Sequence, residues 1–71
     1  MGMSSPTTKA EAREQIAKLQ GDIAQEKASL AYHKASFKGP SAEYGRSQIR
    51  RSIANKKAKI AELRAKIPSL P

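Results

Sequence analysis

The sequence predicts an all-α protein, a two-helix antiparallel coiled-coil hairpin with helices at about residues 8–38 and 42–67. Three features indicate this fold: two long stretches of helix-forming residues, a Gly39-Pro40 step between them, and apolar residues that recur at intervals of three and four. Two long helices joined by a few residues fold back on each other, so their apolar faces meet.

The first helix is predicted to begin near Thr8, because Thr8-Lys9-Ala10-Glu11 matches a capping box. In that arrangement the Thr8 hydroxyl accepts a hydrogen bond from the Glu11 amide, and the Glu11 carboxylate reaches back toward the cap. Residues 1–7 are small and polar, and we expect them to form a disordered N-terminal arm. The following stretch is rich in Ala, Glu, Gln, Lys and Leu, which favours a helix; Gly21 costs about 1 kcal/mol relative to Ala.

The Gly39-Pro40 step is predicted to end the first helix, because Gly tolerates a left-handed cap and Pro cannot extend a helix. Ser41 is then expected to cap the second helix. That helix should run to Ile67, where Pro68 stops it, and residues 68–71 form a C-terminal tail.

The core of the hairpin is predicted to be a seam of residues paired outward from the turn. The pairs are Phe37–Ala42, His33–Arg46, Leu30–Ile49, Glu26–Ile53, Ile23–Lys56, Leu19–Ile60, Ile16–Leu63 and Ala12–Ile67. Glu26 and Lys56 fall in neighbouring layers and should reach each other, which would penalise a slipped register.

The chain carries 14 Lys and Arg against six Asp and Glu, a net charge of +8, and the excess is concentrated in the second helix. Such a charge favours nucleic acid, an acidic protein surface or an anionic membrane as partner. One flank of the seam becomes a basic stripe, on which Lys34 is expected to face Glu43, while the other flank is nearly neutral. A solvated face that keeps the protein soluble is the alternative explanation. The predicted binding residues are Arg13, Lys27, Arg46, Arg50, Arg51, Lys57 and Arg64.

The aromatic residues all lie near the turn. A tip that mixes rings and cations can stack on exposed bases or fill a pocket of a partner protein. Tyr32 and Tyr44 point away from the seam, so these two residues and Lys38 are the predicted tip contacts. Phe37 is expected to close the turn by local packing, and His33 to lie in the seam with its outer edge in water.

Catalysis is not expected, because the chain has no Cys, one His, no Gly-rich phosphate loop and no pair of acids placed to work together. The same composition predicts no metal site and no cofactor. No apolar run approaches the roughly 18 residues of a membrane-spanning helix. Membrane-surface binding is also not expected, because the apolar stripe is needed inside the hairpin. The lack of Cys fits a cytoplasmic protein, or a location within a virion if the protein is viral.

One stretch of the second helix carries a family resemblance. Gln48-Ile49-Arg50-Arg51-Ser52-Ile53-Ala54, followed by Lys57, resembles the second-helix signature of the helical-hairpin ribosomal proteins at the rim of the peptide exit tunnel. The resemblance covers residues 30–60. It implies binding to large-subunit ribosomal RNA, with Arg50, Arg51 and Lys57 as phosphate contacts.

Two functional hypotheses follow from the sequence. The first is a non-enzymatic basic hairpin that binds nucleic acid, preferably structured RNA, through one cationic edge. The alternative is a small protein-binding or assembly module, such as a virion component or a phage-encoded inhibitor, that docks on an acidic surface of a larger complex. Because two helices make a thin core, a homodimer forming a four-helix bundle would supply further burial.

Overall fold

The computed structural model describes residues 5–71, and these form two helices that pack against each other as a hairpin. Helix α1 spans Lys9–Ser36, helix α2 spans Pro40–Lys66, and a single 3-10 turn follows at Ile67–Ser69. The hairpin is a rod with extents of 49 × 20 × 15 Å. The predicted two-helix hairpin is therefore confirmed. Of the predicted N-terminal arm, residues 1–4 lie outside the described residues.

The first turn of α1 is capped by hydrogen bonds to nearby side chains and to the backbone of Pro71. The Thr8 hydroxyl accepts a hydrogen bond from the Glu11 amide at 3.1 Å, as the capping box predicts. The Glu11 carboxylate, however, accepts from the Thr7 amide at 3.0 Å and from the Thr7 hydroxyl at 3.1 Å, one residue before the expected partner. The backbone oxygen of Pro71 accepts from the Lys9 amide at 2.9 Å. The tail therefore folds back over the first turn and satisfies one of its free donors.

The turn differs from the predicted one in its caps. Helix α1 ends two residues early, with Phe37 in an extended conformation as its C-cap, and α2 begins two residues early, with Pro40 at its start. Gly39 is the N-cap of α2, with φ 103° and ψ 179°, a region that essentially only glycine occupies. The prediction that Ser41 caps α2 was wrong, because no side chain caps that helix. The fixed φ of Pro40 suits the first helical position, so the helix starts before Ser41.

The core lies along the predicted seam. Every buried residue among residues 5–71 belongs to it: Ala12, Ile16, Leu19, Ile23, Ala42, Ile53, Ile60 and Leu63. Ile49 and Ile67 pack against this cluster and are partly buried. Phe37 is the exception, since it is 49% exposed at the end of the seam.

Contacts across the seam fix the register. Lys56 donates to the Glu26 carboxylate, and the Ser52 hydroxyl donates to the same oxygen at 2.7 Å. These hydrogen bonds, that of Lys56 first, lower the pKa of the Glu26 carboxyl below its usual value. Closer to the turn, the His33 ring lies against Gly45, where a Cβ atom would stand 2.8 Å from His33 Nε2. The predicted contact between Glu26 and Lys56 is confirmed.

Candidate nucleic-acid interface

One edge of the hairpin carries two columns of exposed cations, one column from each helix. The α2 cations recur every seven residues, which make nearly two helical turns, and the α1 cations follow the same spacing except that Gln20 stands between Arg13 and Lys27. We define the basic edge as these six residues: Arg13, Lys27 and Lys34 of α1, and Arg50, Lys57 and Arg64 of α2. At 1.5 Å per residue, the α1 column extends about 32 Å and the α2 column about 21 Å.

An open depression of about 290 Å³ lies between the helices at the middle of this edge. Gln20 of α1 and Lys57 and Arg64 of α2 line it, and Ile23 and Ile60 form its apolar floor. Residues from both helices therefore surround a single opening. This agrees with the predicted seam pairs Leu19–Ile60 and Ile23–Lys56, which include the chain neighbours of Gln20 and Lys57.

Most of the basic edge has no internal countercharge. Within residues 5–71, only Arg50 of the six makes an ion pair, from its Nη1 atom to Glu43 Oε1 at 3.1 Å. The other five cations lie in two columns of like charge, and like charges on neighbouring positions repel each other. An anion bound along the edge would remove this repulsion.

The opposite flank is different. Glu62 pairs with Lys59 at 3.6 Å and with Lys66 at 3.8 Å, and Glu26 pairs with Lys56 across the seam. Lys59 and Lys66 thus share one acid of the same helix, and Lys56 has its partner across the seam. The ion pairs of the described residues are therefore distributed unevenly between the two flanks.

Arg46, one of the predicted binding residues, is instead engaged at the turn. Its side chain is only 17% exposed, and it donates to Glu43 Oε2 at 2.8 Å and to the Phe37 carbonyl at 3.2 Å. The latter bond satisfies a carbonyl at the end of α1. Hydrogen bonds from Arg46 and then Arg50 lower the pKa of the Glu43 carboxyl. The expected pairing of Glu43 with Lys34 is absent from residues 5–71, which leaves Lys34 available on the basic edge.

Arg51 is exposed but does not belong to the basic edge. It follows Arg50 directly, so it lies about 100° further around α2. That direction is the outer face of the helix, which it shares with exposed alanines such as Ala54 and Ala58. A flat partner laid along the basic edge would therefore not reach Arg51.

The tip of the hairpin exposes rings. Tyr32 is 66% exposed and Tyr44 is 69% exposed, in agreement with their predicted direction away from the seam. The Phe37 ring contacts Tyr32 edge-on, with centroids 6.3 Å apart, and lies 4.8 Å from the His33 ring at a tilt of 41°. Phe37 thus makes the local contacts that the sequence predicted, yet half of it remains open to solvent.

A second depression of about 230 Å³ lies beside this ring cluster. It is lined by His33, Phe37, Lys38, Ser41 and Ala42, so it combines ring faces with an ammonium group and a hydroxyl. Lys38, a predicted tip contact, therefore stands next to the rings rather than apart from them.

Comparison with protein families, with curated proteins and with solved structures finds no match to this chain. The resemblance to exit-tunnel ribosomal proteins therefore stays a prediction. Neither helix of the described chain combines the length and the hydropathy needed to cross a bilayer. Nowhere in residues 5–71 do three or more His, Cys, Asp or Glu side chains group to hold a metal ion.

Proposed function

We propose that this hairpin is a non-enzymatic nucleic-acid-binding protein that lays its basic edge along phosphates, with structured RNA as the preferred target. One observation carries the proposal: five exposed cations are aligned on one edge without an ion pair within residues 5–71, whereas Lys59 and Lys66 of the opposite flank pair with Glu62. Solubility requires net charge, but it does not require cations to be aligned on one edge.

The spacing of these cations favours a polymer over a small anion. Neighbouring cations within the α2 column, such as Lys57 and Arg64, are about 10 Å apart along the helix axis. The whole edge extends about 32 Å, which one phosphate cannot span, whereas a phosphate backbone presents a charge to each cation along it. Each contact also releases a condensed counterion, which is the main source of affinity in such complexes. The preference for RNA rests on the resemblance of residues 48–57.

The proposal predicts a steep dependence of affinity on salt. If the five unpaired cations each neutralise one phosphate, the slope of log affinity against log salt is about −3.5 for a single strand and about −4.5 for a duplex. Between 50 and 200 mM salt the affinity should then fall by about 100- to 500-fold. Fluorescence polarisation of a labelled RNA stem-loop, repeated across this salt range, measures the slope.

A pair of matched variants tests where the phosphates bind. The variant Lys57→Gln, Arg64→Gln removes two cations of the basic edge, and we expect its slope to be shallower by about 1.4 to 1.8. The control Lys59→Gln, Lys66→Gln has the same helix, the same seven-residue spacing and the same loss of net charge, but lies on the opposite flank, where both lysines pair with Glu62. It should keep the full slope. Equal effects of the two variants would mean that net charge alone drives binding, and the proposed edge would be wrong.

A second candidate function is docking on an acidic surface of a larger complex, as a virion component or an inhibitor would do. The apolar floor of Ile23 and Ile60 beneath Lys57 and Arg64 favours it, because a phosphate backbone makes no use of buried apolar surface. Affinity purification from a lysate, with and without nuclease, separates the two candidates. A partner protein that is still captured after nuclease treatment supports docking on an acidic surface. Partners that are lost after nuclease treatment support RNA binding.

A further inference from the structure

The exposed rings of the hairpin are gathered at one end. Tyr32, Phe37 and Tyr44 are the large hydrophobic side chains that residues 5–71 leave exposed, and all three lie within one turn or two of the connection between the helices. The outer faces along the rest of the rod carry small side chains such as Ala24 and Ala58. Exposed apolar surface that is concentrated in this way marks an interaction site.

The geometry of the tip holds one ring face in place beside an opening. The His33 ring lies 4.8 Å from the Phe37 ring, and Tyr32 meets Phe37 edge-on at 74°. These contacts orient Phe37 while it stays 49% exposed. The neighbouring depression of about 230 Å³ is smaller than the roughly 300–1,000 Å³ of pockets that enclose a drug-sized ligand. A single planar ring system is therefore a better fit than a whole cofactor.

The charges at the tip indicate which planar ring this is. Lys38 and Ser41 line the same depression as Phe37, so an ammonium group and a hydroxyl stand next to the ring face. Lys34 of the basic edge lies in the last turn of α1, but two residues turn the helix by about 200°, so Lys34 faces away from Tyr32 and Lys38 is the cation beside the rings. A nucleotide carries a flat base and a phosphate side by side, and this arrangement matches both parts.

We propose that the tip binds an unpaired base of the nucleic acid that the basic edge holds, by stacking on Phe37 while Lys38 contacts the adjoining phosphate. This inference rests on the proposed function and makes it more specific. In a duplex the base faces are stacked on one another, so a duplex offers the tip no ring to bind. The protein should therefore prefer single strands and stem-loops over a continuous duplex.

The chain offers a direct probe of stacking, because Phe37 is its one phenylalanine. A base stacked on this ring shifts its proton resonances upfield through the ring current of the base. We expect oligouridine to shift the ring signals of Phe37 in NMR spectra. An RNA duplex and inorganic polyphosphate should occupy the basic edge but leave these signals in place, because neither presents a free base.

Affinity measurements with ring variants complete the test. Phe37→Ala removes the ring beside the depression at a residue that lies outside both helices. It should weaken binding to oligouridine by roughly 5- to 100-fold and leave duplex affinity unchanged. The control Phe37→Tyr keeps the ring face and should bind as the wild type does.

The outcomes separate this inference from the function on which it rests. If no RNA binds, or if binding is indifferent to salt, the proposed function itself is wrong. If RNA binds with the expected salt slope but the alanine variant keeps full affinity for oligouridine, only the inference about the tip is overturned. The exposed rings would then serve another partner, such as a pocket on a protein. Equal loss for oligouridine and duplex would also overturn it, because the rings would not distinguish paired from unpaired bases.

Discussion

Two glycines inside the helices, Gly21 and Gly45, provide a test of the packing near the turn. The test compares how replacement of each glycine by alanine changes the free energy of unfolding. Gly21 of α1 is exposed, and a Cβ atom added there would meet no atom within 4 Å. Ala is favoured over Gly in a helix interior by about 1 kcal/mol. Gly21→Ala should therefore raise the free energy of unfolding by about 1 kcal/mol, and Tm by about 4–8 °C for a domain of this size.

Gly45→Ala makes the same chemical change in α2 with a different result. The new Cβ would stand 2.8 Å from Nε2 and 3.1 Å from Cε1 of His33. The imidazole would have to move, and the Phe37 ring, 4.8 Å away, limits that movement. Displacing the ring offsets the gain in helix propensity, so we expect Gly45→Ala to give no stabilisation or a net loss.

A double-mutant cycle identifies the cause. With His33→Ala in the background, the obstacle is gone and Gly45→Ala should recover its gain of about 1 kcal/mol. Urea denaturation followed by far-ultraviolet circular dichroism measures all four proteins, with Gly21→Ala as the matched control. If Gly45→Ala stabilises the wild-type chain as much as Gly21→Ala does, His33 does not lie against Gly45. The packing of the helices near the turn would then have to be revised.

Two further predictions concern the carboxylates and the turn. Because hydrogen bonds lower the folded-state pKa values of Glu26 and Glu43, both groups stabilise the fold above their ordinary pKa of 4.5, and this stability is lost as the pH falls through the folded values. The urea midpoint should decrease on acidification, and less so in Glu26→Gln, which cannot titrate at that position; identical pH profiles would exclude a contribution from Glu26. Gly39→Ala should cost about 1–3 kcal/mol, because a φ of 103° strains any residue with a Cβ. There is open space around Gly39, so an unchanged urea midpoint would mean that the backbone adopts another conformation there.

The core of this protein was predictable because it depends on spacing alone. Apolar residues at intervals of three and four lie on one face of a helix, and a short connection forces two such faces together. The seam residues buried in the structure, from Ala12 to Leu63, are accordingly those that the sequence placed there. The Glu26–Lys56 pair followed by the same reasoning, because each polar residue interrupts an apolar series at a neighbouring layer.

The details of the turn were not predictable in the same way, because local rules there compete. Gly39 can close one helix or open the next, and Pro40 can stop a helix or start one. In the structure both residues belong to the start of α2: Gly39 is its N-cap and Pro40 is its first residue, so Ser41 is not the cap. Arg46 was missed as a turn residue because Glu43 has cations at several helical spacings. Spacing alone cannot tell which of them it binds.

The alignment of cations on the basic edge follows from the same seven-residue repeat that forms the apolar seam. The seven-residue repeat that aligns Ile53 with Ile60 also aligns Lys57 with Arg64, so any residue type placed at the flanking positions forms a continuous column. On the opposite flank, acids such as Glu62 occupy positions that neutralise Lys59 and Lys66. The basic edge has one such acid, Glu43, which pairs with Arg50, so five of its six cations have no ion pair within residues 5–71. Repulsion along the unpaired columns lowers the stability of the isolated hairpin, and a bound polyanion is the simplest agent that would reverse it.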